Sequence, residues 1–293
     1  MQNVTAMAIA ALAAELVPAV AFGFAAERIA RVVSRWPVAL RLSFPALFVL
    51  PYLIVSLSAH MFQWSWFALY AVLPVAIAGM LMRAARVDPE QRGNWRDYLI
   101  LISLGLAVDL RWFEAAWPPH LAIFNKVLLL DAGICGFLML RQLDGVGFDL
   151  RLRLRDLRIG LREFLFFAPI AVALGLSLGF LHAHAIWPSL VQIAGACLFT
   201  FFFIAVPEEL FFRGWLQNLL ERRMGRNRAL ILTAALFGLS HWNKRTTNFN
   251  WQYVLLAALA GIFYGRAWRN ERRVGASAVT HALVDTVWSI WLR

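Results

Sequence analysis

Ten apolar runs, most of them close to the length of a membrane-spanning helix, follow one another along this chain of 293 residues. A helix needs about 20 apolar residues, with a range of about 17 to 25, to cross a bilayer. The runs lie at 5–26, 42–59, 63–82, 97–110, 121–140, 164–181, 188–206, 229–242, 252–268 and 276–292. Because the fourth and eighth are short, we predict an all-α fold, a polytopic transmembrane helix bundle of about eight to ten spans.

The composition agrees with a bilayer as the solvent. Hydrophobic residues make up 61% of the chain and charged residues only 15%, whereas a soluble domain has about 25% charged residues. The net charge is +11, but the basic residues stand in short clusters between apolar runs, so membrane lipid and not nucleic acid is the expected partner. Both cysteines lie inside apolar runs, which excludes a disulfide framework and a C-x-x-C metal site.

The basic clusters occupy every second connection between the runs. Most of the 28 Lys and Arg residues lie in five connections, at 28–41, 83–96, 141–162, 222–228 and 266–273. Cytoplasmic loops carry the excess of Lys and Arg in membrane proteins. We therefore expect an integral, multi-pass protein of the bacterial inner membrane with these loops in the cytoplasm and both termini outside.

The longest polar stretch, 142–163, divides the chain. Apolar and charged residues nearly alternate over 148–158, a pattern that suits a short strand or an interfacial segment on anionic lipid. We predict N-terminal transmembrane helices over 1–141, a basic cytoplasmic segment over 142–163 and a C-terminal transmembrane bundle over 164–293. The N-terminal helices hold only scattered polar residues, so chemistry is expected in the C-terminal bundle.

Two adjacent glutamates lie at the end of the seventh run, in Pro207-Glu208-Glu209-Leu-Phe-Phe-Arg213. An ionisable group at the centre of a membrane helix costs roughly 2.5 to 3.5 kcal/mol, so it usually has a partner or a function. Glu209 and Arg213 share a helix face, which favours an ion pair. Glu208 is rotated from Glu209 by about 100° and can point elsewhere.

Two later runs carry histidines at helical spacing from other notable side chains. Phe237 precedes His241 by one turn, so its ring can orient the imidazole, and His281 and Asp285 are four apart and can face one cavity. Glu208 and His241 lie at similar distances from the basic loop 221–228, about 18 Å along their helices. We therefore expect these groups to meet in a cavity that opens towards the basic loops.

In this order the three motifs resemble the CPBP family of intramembrane proteases, which includes CAAX prenyl endopeptidases and the Abi bacteriocin-processing or immunity proteins. The motifs are Glu208-Glu209-x-x-x-Arg213, Phe237-x-x-x-His241 and His281-x-x-x-Asp285, and the resemblance covers about residues 165–293. It implies that Glu208 and His241 activate a water, that Glu209 and Arg213 support Glu208, and that His281 and Asp285 stabilise the oxyanion. The implied substrate is a membrane-associated protein or peptide, possibly a lipidated one.

Position 285 departs from the family pattern, where Asn is common. An ionised Asp cannot donate a hydrogen bond to an oxyanion, so Asp285 must be protonated, orient His281 or bind a metal. A zinc-dependent alternative would use Glu208, His241, His281 and Asp285 as ligands, with Glu209 behind them. The H-E-x-x-H pattern is absent, and we favour a mechanism without a metal cofactor.

A different class of function remains open at this point: a transporter, or an immunity or scaffold protein without enzymatic activity. Charges inside a membrane also line transport paths. The polar residues are concentrated in one half of the chain, however, and no pair of broken helices recurs in two repeats. Glu15, Lys126 and Asp131 lie in apolar runs without a matching motif, and we interpret them as packing or depth anchors.

Overall fold

The computed structural model of the protein describes residues 6–244 and 248–292. Over these ranges the chain is helical and contains no β-strand, which confirms the all-α prediction. The chain forms two compact units, Met1–Asp144 and Gly145–Arg293. Their boundary lies near the start of the polar stretch at 142–163.

Within the described residues, the first unit contains five long helical segments. They are α1 (Ala6–Ser34), α2 (Val38–Ser58), α3 (Trp64–Val87), α4 (Trp95–Asp109) and α5 (Pro119–Leu140). Helix α1 contains Pro18 and is kinked at Ala25, where φ is −144° and ψ is 27°. A buried ion-pair cluster ties α5 to α4, because Arg141 contacts Asp97 at 3.1 Å and Asp88 at 2.6 Å. Glu15 and Asp131 are both buried, which agrees with a packing position.

The second unit also contains five helices. They are α6 (Leu154–Ser177), α7 (Leu190–Met224), α8 (Arg226–Leu239), α9 (Trp251–Glu271) and α10 (Val274–Trp291). Two π-helical segments, Phe201–Ala205 and Leu210–Gln217, interrupt α7 and enclose the α-helical turn Val206–Glu209. Single π turns inside helices are frequent at functional sites, and here they flank the two glutamates.

Six helices in the described part of the chain are long and apolar enough to cross a membrane, namely α1, α2, α3, α5, α6 and α7. Helices α4 and α8 have only 15 and 14 residues, as the short fourth and eighth runs indicate. Helices α9 and α10 have 21 and 18 residues but carry more polar side chains. The protein is thus an integral, polytopic membrane protein.

Ion pairs cover the basic end of the second unit. Arg273 contacts Asp156 at 2.9 Å and Asp149 at 3.0 Å, while Glu221 accepts from Arg269 and Arg272. The alternating stretch 148–158 forms no strand: α6 begins at Leu154, and Asp156 accepts a hydrogen bond from the backbone N–H of Arg153. The expectation of a strand is wrong because these charges cap a helix and bind Arg273.

Candidate active site

Glu209 lies at the centre of a hydrogen-bonded cluster between α7 and α10. Its side chain is fully buried. Oε2 of Glu209 accepts from Nε of Arg213 at 3.0 Å and from the hydroxyl of Ser277, and Oε1 accepts from Nδ1 of His281 at 2.9 Å. The ion pair with Arg213 confirms the i,i+4 prediction. The contact with His281 shows that Glu209 also holds a side chain on another helix.

Arg213 depends on this carboxylate. It is fully buried, and its two terminal nitrogens have no hydrogen-bond partner among the described residues. The guanidinium lies 5.1 Å from the centre of the Phe237 ring, where a cation–π attraction replaces part of the lost hydration. Glu209 is therefore the anion that balances the Arg213 charge.

Glu208 points away from Glu209, as a rotation of about 100° per residue requires. Its side chain is 38% exposed, and Oε2 lies 3.9 Å from Nε2 of His281. This oxygen is buried and accepts no hydrogen bond within the described residues. Of the two neighbouring glutamates, Glu208 is thus the one with a carboxylate oxygen free to accept a proton.

His281 has a carboxylate on each side of its ring. Nδ1 faces Glu209, and Nε2 lies 3.4 Å from Oδ2 of Asp285 as well as near Glu208. The Tyr264 ring stacks on the imidazole at 4.6 Å with an interplanar angle of 16°. A doubly protonated ring satisfies the acceptors on both sides. His281 therefore directs Nε2–H into the space between Glu208 and Asp285.

His241 follows the end of α8 and is oriented by Phe237. Its Nδ1 lies 2.8 Å from the carbonyl oxygen of Phe237, which can only accept, so Nδ1 donates and Nε2 carries the lone pair. The centre of the His241 imidazole lies 4.9 Å from the centre of the Phe237 ring and 4.8 Å from that of the Tyr253 ring. The sequence indicated the role of the Phe237 ring but not that of its carbonyl group.

A cleft within the second unit brings the two histidines together. His241, His281 and Asp285 line it, whereas Glu208 is outside its lining and lies 3.9 Å from Nε2 of His281. Most other lining residues are aromatic or aliphatic, from α6, α9 and α10. The candidate site is therefore the polar end of an otherwise apolar cleft.

The cleft extends away from the basic loops. It runs from His281 to Leu292, about 16 Å along α10, and Phe180 and Tyr253 line the same end as Leu292. These residues lie at the helix ends opposite the basic connections. The lining residues thus extend from the histidines towards the end opposite the basic connections, and α8 has only 14 residues, so His241 lies at its far end. The opening of a cavity towards the basic loops stays a prediction.

The four side chains considered as zinc ligands do not fit a metal site in this arrangement. Within the described residues, no group of three or more His, Cys, Asp or Glu side chains converges as metal ligands do. His281 has Nδ1 bound to Glu209 and Nε2 facing Asp285. We therefore derive no step through zinc.

Four side chains near the site are not among the residues that the sequence motifs indicate. Ser277 precedes His281 by four residues, as His281 precedes Asp285, so the helical period could have indicated it. Tyr264 and Tyr253 contact the histidines across the bundle, and no local pattern marks them. Lys244 lies close enough to interact electrostatically with Glu208 and His241.

Comparisons with known proteins agree with the motifs. Residues 187–287 match the family model described as Type II CAAX prenyl endopeptidase Rce1-like. No curated protein and no solved structure matches the chain. The matched segment contains Glu208, Glu209, Arg213, His241, His281 and Asp285. The resemblance that the motifs indicate is therefore confirmed for this segment, which is similar to the Rce1-like type II CAAX prenyl endopeptidases.

Proposed function

We propose that the protein is an intramembrane endopeptidase that hydrolyses a peptide bond with a water activated by Glu208 and His241, without a resident metal. The main support is the convergence of His241, His281 and Asp285 on one apolar cleft, with Glu208 3.9 Å from His281. The similarity of residues 187–287 to a prenyl endopeptidase family supports the reaction class.

In this proposal the attacking water donates one hydrogen bond to Glu208 and the other to His241. Oε2 of Glu208 is buried with no hydrogen-bond donor among the described residues, and Nε2 of His241 carries a lone pair because Nδ1 donates to Phe237. A general base must lie within hydrogen-bond reach of the proton it takes, directly or through one water. Glu208 takes one proton as the water oxygen bonds to the carbonyl carbon, and it gives this proton to the amine nitrogen as the C–N bond breaks.

His281 supplies the charge that stabilises the tetrahedral intermediate. Its Nε2–H faces the space beside Glu208, and Glu209 fixes the ring through Nδ1 at 2.9 Å. A donor that is already oriented before the reaction stabilises a developing oxyanion without reorganisation. Glu209 thus supports His281 directly, and not only Glu208 as the family resemblance implies.

Asp285 orients His281 in this mechanism. Its Oδ2 lies 3.4 Å from Nε2 of the imidazole, which suits an acceptor and not an oxyanion donor. Of the three alternatives for Asp285, this geometry favours the orienting role. A substrate oxygen bound beside Asp285 would share the same Nε2–H without rotation of the ring.

The cleft favours an apolar substrate. The side chains around its polar end come largely from Phe, Ala, Val and Leu residues, and most ligand pockets of this kind bind apolar groups and orient them with few polar contacts. We infer that the substrate is a membrane-associated protein or peptide with an apolar or lipid-modified segment beside the scissile bond.

The test is a proteomic comparison of membrane fractions from cells with the wild-type protein and with Glu208→Gln. A peptide cleaved only with the wild type, with equal cleavage in the presence of a zinc chelator, is the expected result. If the chelator abolishes cleavage, the metal-free mechanism is wrong. If the two fractions are identical, the protein belongs with the non-enzymatic alternatives, as an immunity or scaffold protein or a transporter.

A further inference from the structure

A buried hydroxyl contacts the same carboxylate oxygen as Arg213. Ser277 on α10 is fully buried, and its Oγ donates to Oε2 of Glu209. The same hydroxyl lies 2.9 Å from the backbone carbonyl oxygen of Tyr264 on α9. A serine hydroxyl has one hydrogen, and an ionised carboxylate is the stronger acceptor. The hydrogen therefore goes to Glu209.

The two oxygens of Glu209 have different partners. Arg213 and Ser277 both hold Oε2, from two different helices, and among the described residues only His281 binds Oε1. With one oxygen held by two donors, the carboxylate plane cannot rotate freely. Oε1 is then fixed in the direction of the imidazole.

We propose that Ser277 is a positioning residue, which holds the Glu209 carboxylate so that Glu209 in turn fixes the ring of His281. This inference rests on the proposed endopeptidase function. Ser277 does not line the cleft, so it acts through Glu209 and not on the substrate. Its loss should lower the rate of the chemical step and leave substrate binding unchanged.

Tyr264 makes this arrangement specific to one ring orientation. Its backbone carbonyl lies beside Ser277, and its aromatic ring stacks on His281 at 4.6 Å. The stacked ring limits rotation of the imidazole out of its plane, and the bond to Glu209 limits rotation within it. Ser277, acting through Glu209, and Tyr264 thereby restrain the His281 ring against rotation within its plane and out of its plane.

The chain offers a matched control on the same helix. Thr280 is also fully buried, but its hydroxyl lies near the backbone carbonyls of Gly160 and Ala276 only. Thr280→Val removes this hydroxyl and keeps the shape of the side chain. A purely structural effect of losing a buried hydroxyl should be similar in Ser277→Ala and Thr280→Val.

The first measurement is cleavage of an internally quenched, farnesylated peptide ending in Cys-Val-Ile-Met by the purified full-length protein. We expect Ser277→Ala to lower kcat about tenfold with KM unchanged, the effect of losing a hydrogen bond to a charged group. Ser277→Thr should restore most of the rate, and Thr280→Val should keep kcat. Glu208→Gln, measured alongside, tests the proposed function separately. Turnover by that variant at the wild-type rate would refute Glu208 as the general base, but it would not refute the role of Ser277.

The second measurement does not need turnover. In histidine-selectively ¹⁵N-labelled protein, the ring N–H signal of His281 is identified by its loss in His281→Gln. We expect this signal to persist in wild type and in Thr280→Val and to shift or vanish in Ser277→Ala. An unchanged signal in Ser277→Ala, or a kcat equal to that of Thr280→Val, would overturn the proposal even if the protein proves to be a protease.

Discussion

Nδ1 of His281 lies 2.9 Å from Oε1 of Glu209, while Oε2 of the preceding Glu208 faces the other ring nitrogen at 3.9 Å. The two adjacent glutamates therefore contact opposite sides of one imidazole. Glu209 is fully buried with Arg213, whereas Glu208 has a partly exposed side chain. Mutation of Glu208 should therefore affect mainly catalysis, and mutation of Glu209 should affect mainly stability.

Glu208→Gln should abolish cleavage and leave the thermal melting temperature near that of the wild type, because it removes a proton acceptor and keeps the shape. Glu209→Gln should lower the unfolding free energy by about 3 to 5 kcal/mol, the cost of breaking a buried ion pair by removing one partner. Its activity should fall only partly. Differential scanning fluorimetry and peptide cleavage on the same preparations measure both effects.

Glu221→Gln is the control for this pair, since Glu221 is a buried carboxylate that contacts Arg269 at 2.6 Å at the basic end of the unit. It should lose stability and keep the specific activity of the folded fraction. Equal melting shifts and equal residual cleavage for Glu208→Gln and Glu209→Gln would show that the division into base and support is wrong.

Asp285→Asn should retain most of the activity, because the amide oxygen can still accept from Nε2 of His281, 3.4 Å from the present carboxylate oxygen. Asp285→Ala removes the acceptor, and its kcat should be at least about tenfold lower than that of Asp285→Asn, the effect of losing one charged hydrogen bond. Steady-state kinetics of both variants distinguishes a hydrogen-bond acceptor that orients His281 from a required anion at position 285. Complete loss in Asp285→Asn would mean that an anion at this position is required.

Ala168→Trp should raise KM strongly, because Ala168 lines the cleft from α6 and a large ring there occupies the space of the substrate. Leu165→Trp on the same helix is the control, since Leu165 is 59% exposed and lies outside the cleft lining. A comparison of KM for a farnesylated peptide and for the same peptide without the lipid also shows whether the cleft binds the lipid or the peptide part of the substrate. Equal KM values in both variants would argue against the cleft as the substrate site.

Asp149 makes the basic end of the second unit sensitive to acid. Burial raises its pKa, but hydrogen bonds from the Arg151 backbone N–H and from Arg273, with the charges of both arginines, outweigh burial and lower the pKa. A carboxylate with a lowered pKa contributes stability that is complete above its unfolded pKa of about 3.9 and is lost as the pH falls through the folded value.

Asp149→Asn should therefore be less stable than the wild type at neutral pH and lose less further stability below about pH 4. Denaturant unfolding in detergent across this range measures the difference. Glu90→Gln, at an exposed ion pair whose Glu90 side chain is 68% accessible, should leave the pH profile unchanged. If the unfolding free energies of Asp149→Asn and the wild type change in parallel with pH, Asp149 is not the source of the acid sensitivity.

The membrane orientation can be tested with single cysteines in a protein whose Cys135 and Cys197 are replaced. Arg226 is exposed at the start of α8, in the basic cluster 222–228, and Trp187 is 88% exposed at the opposite end of the unit. With the basic loops in the cytoplasm, an impermeant maleimide added to intact cells should label Trp187→Cys and spare Arg226→Cys. The reverse pattern would invert the topology and the face on which the cleft ends.

The helices and one half of the site follow from local sequence. An apolar run in a bilayer must satisfy its backbone hydrogen bonds internally and so becomes a helix, which is why the ten runs correspond to α1 to α10. The same periodicity gives the Glu209–Arg213 pair, because residues four apart on a helix are neighbours. It could also have indicated Ser277, four residues before His281.

The tertiary structure decided which helix faces meet. Glu209 and His281 are 72 positions apart, and their contact depends on how α7 packs against α10, which the periodicity of either helix does not specify. Packing likewise placed the cleft at the end opposite the basic loops and used Asp156 to bind Arg273. Local spacing determines which side chains share a face, but the neighbour of that face is determined by side-chain packing across the whole bundle.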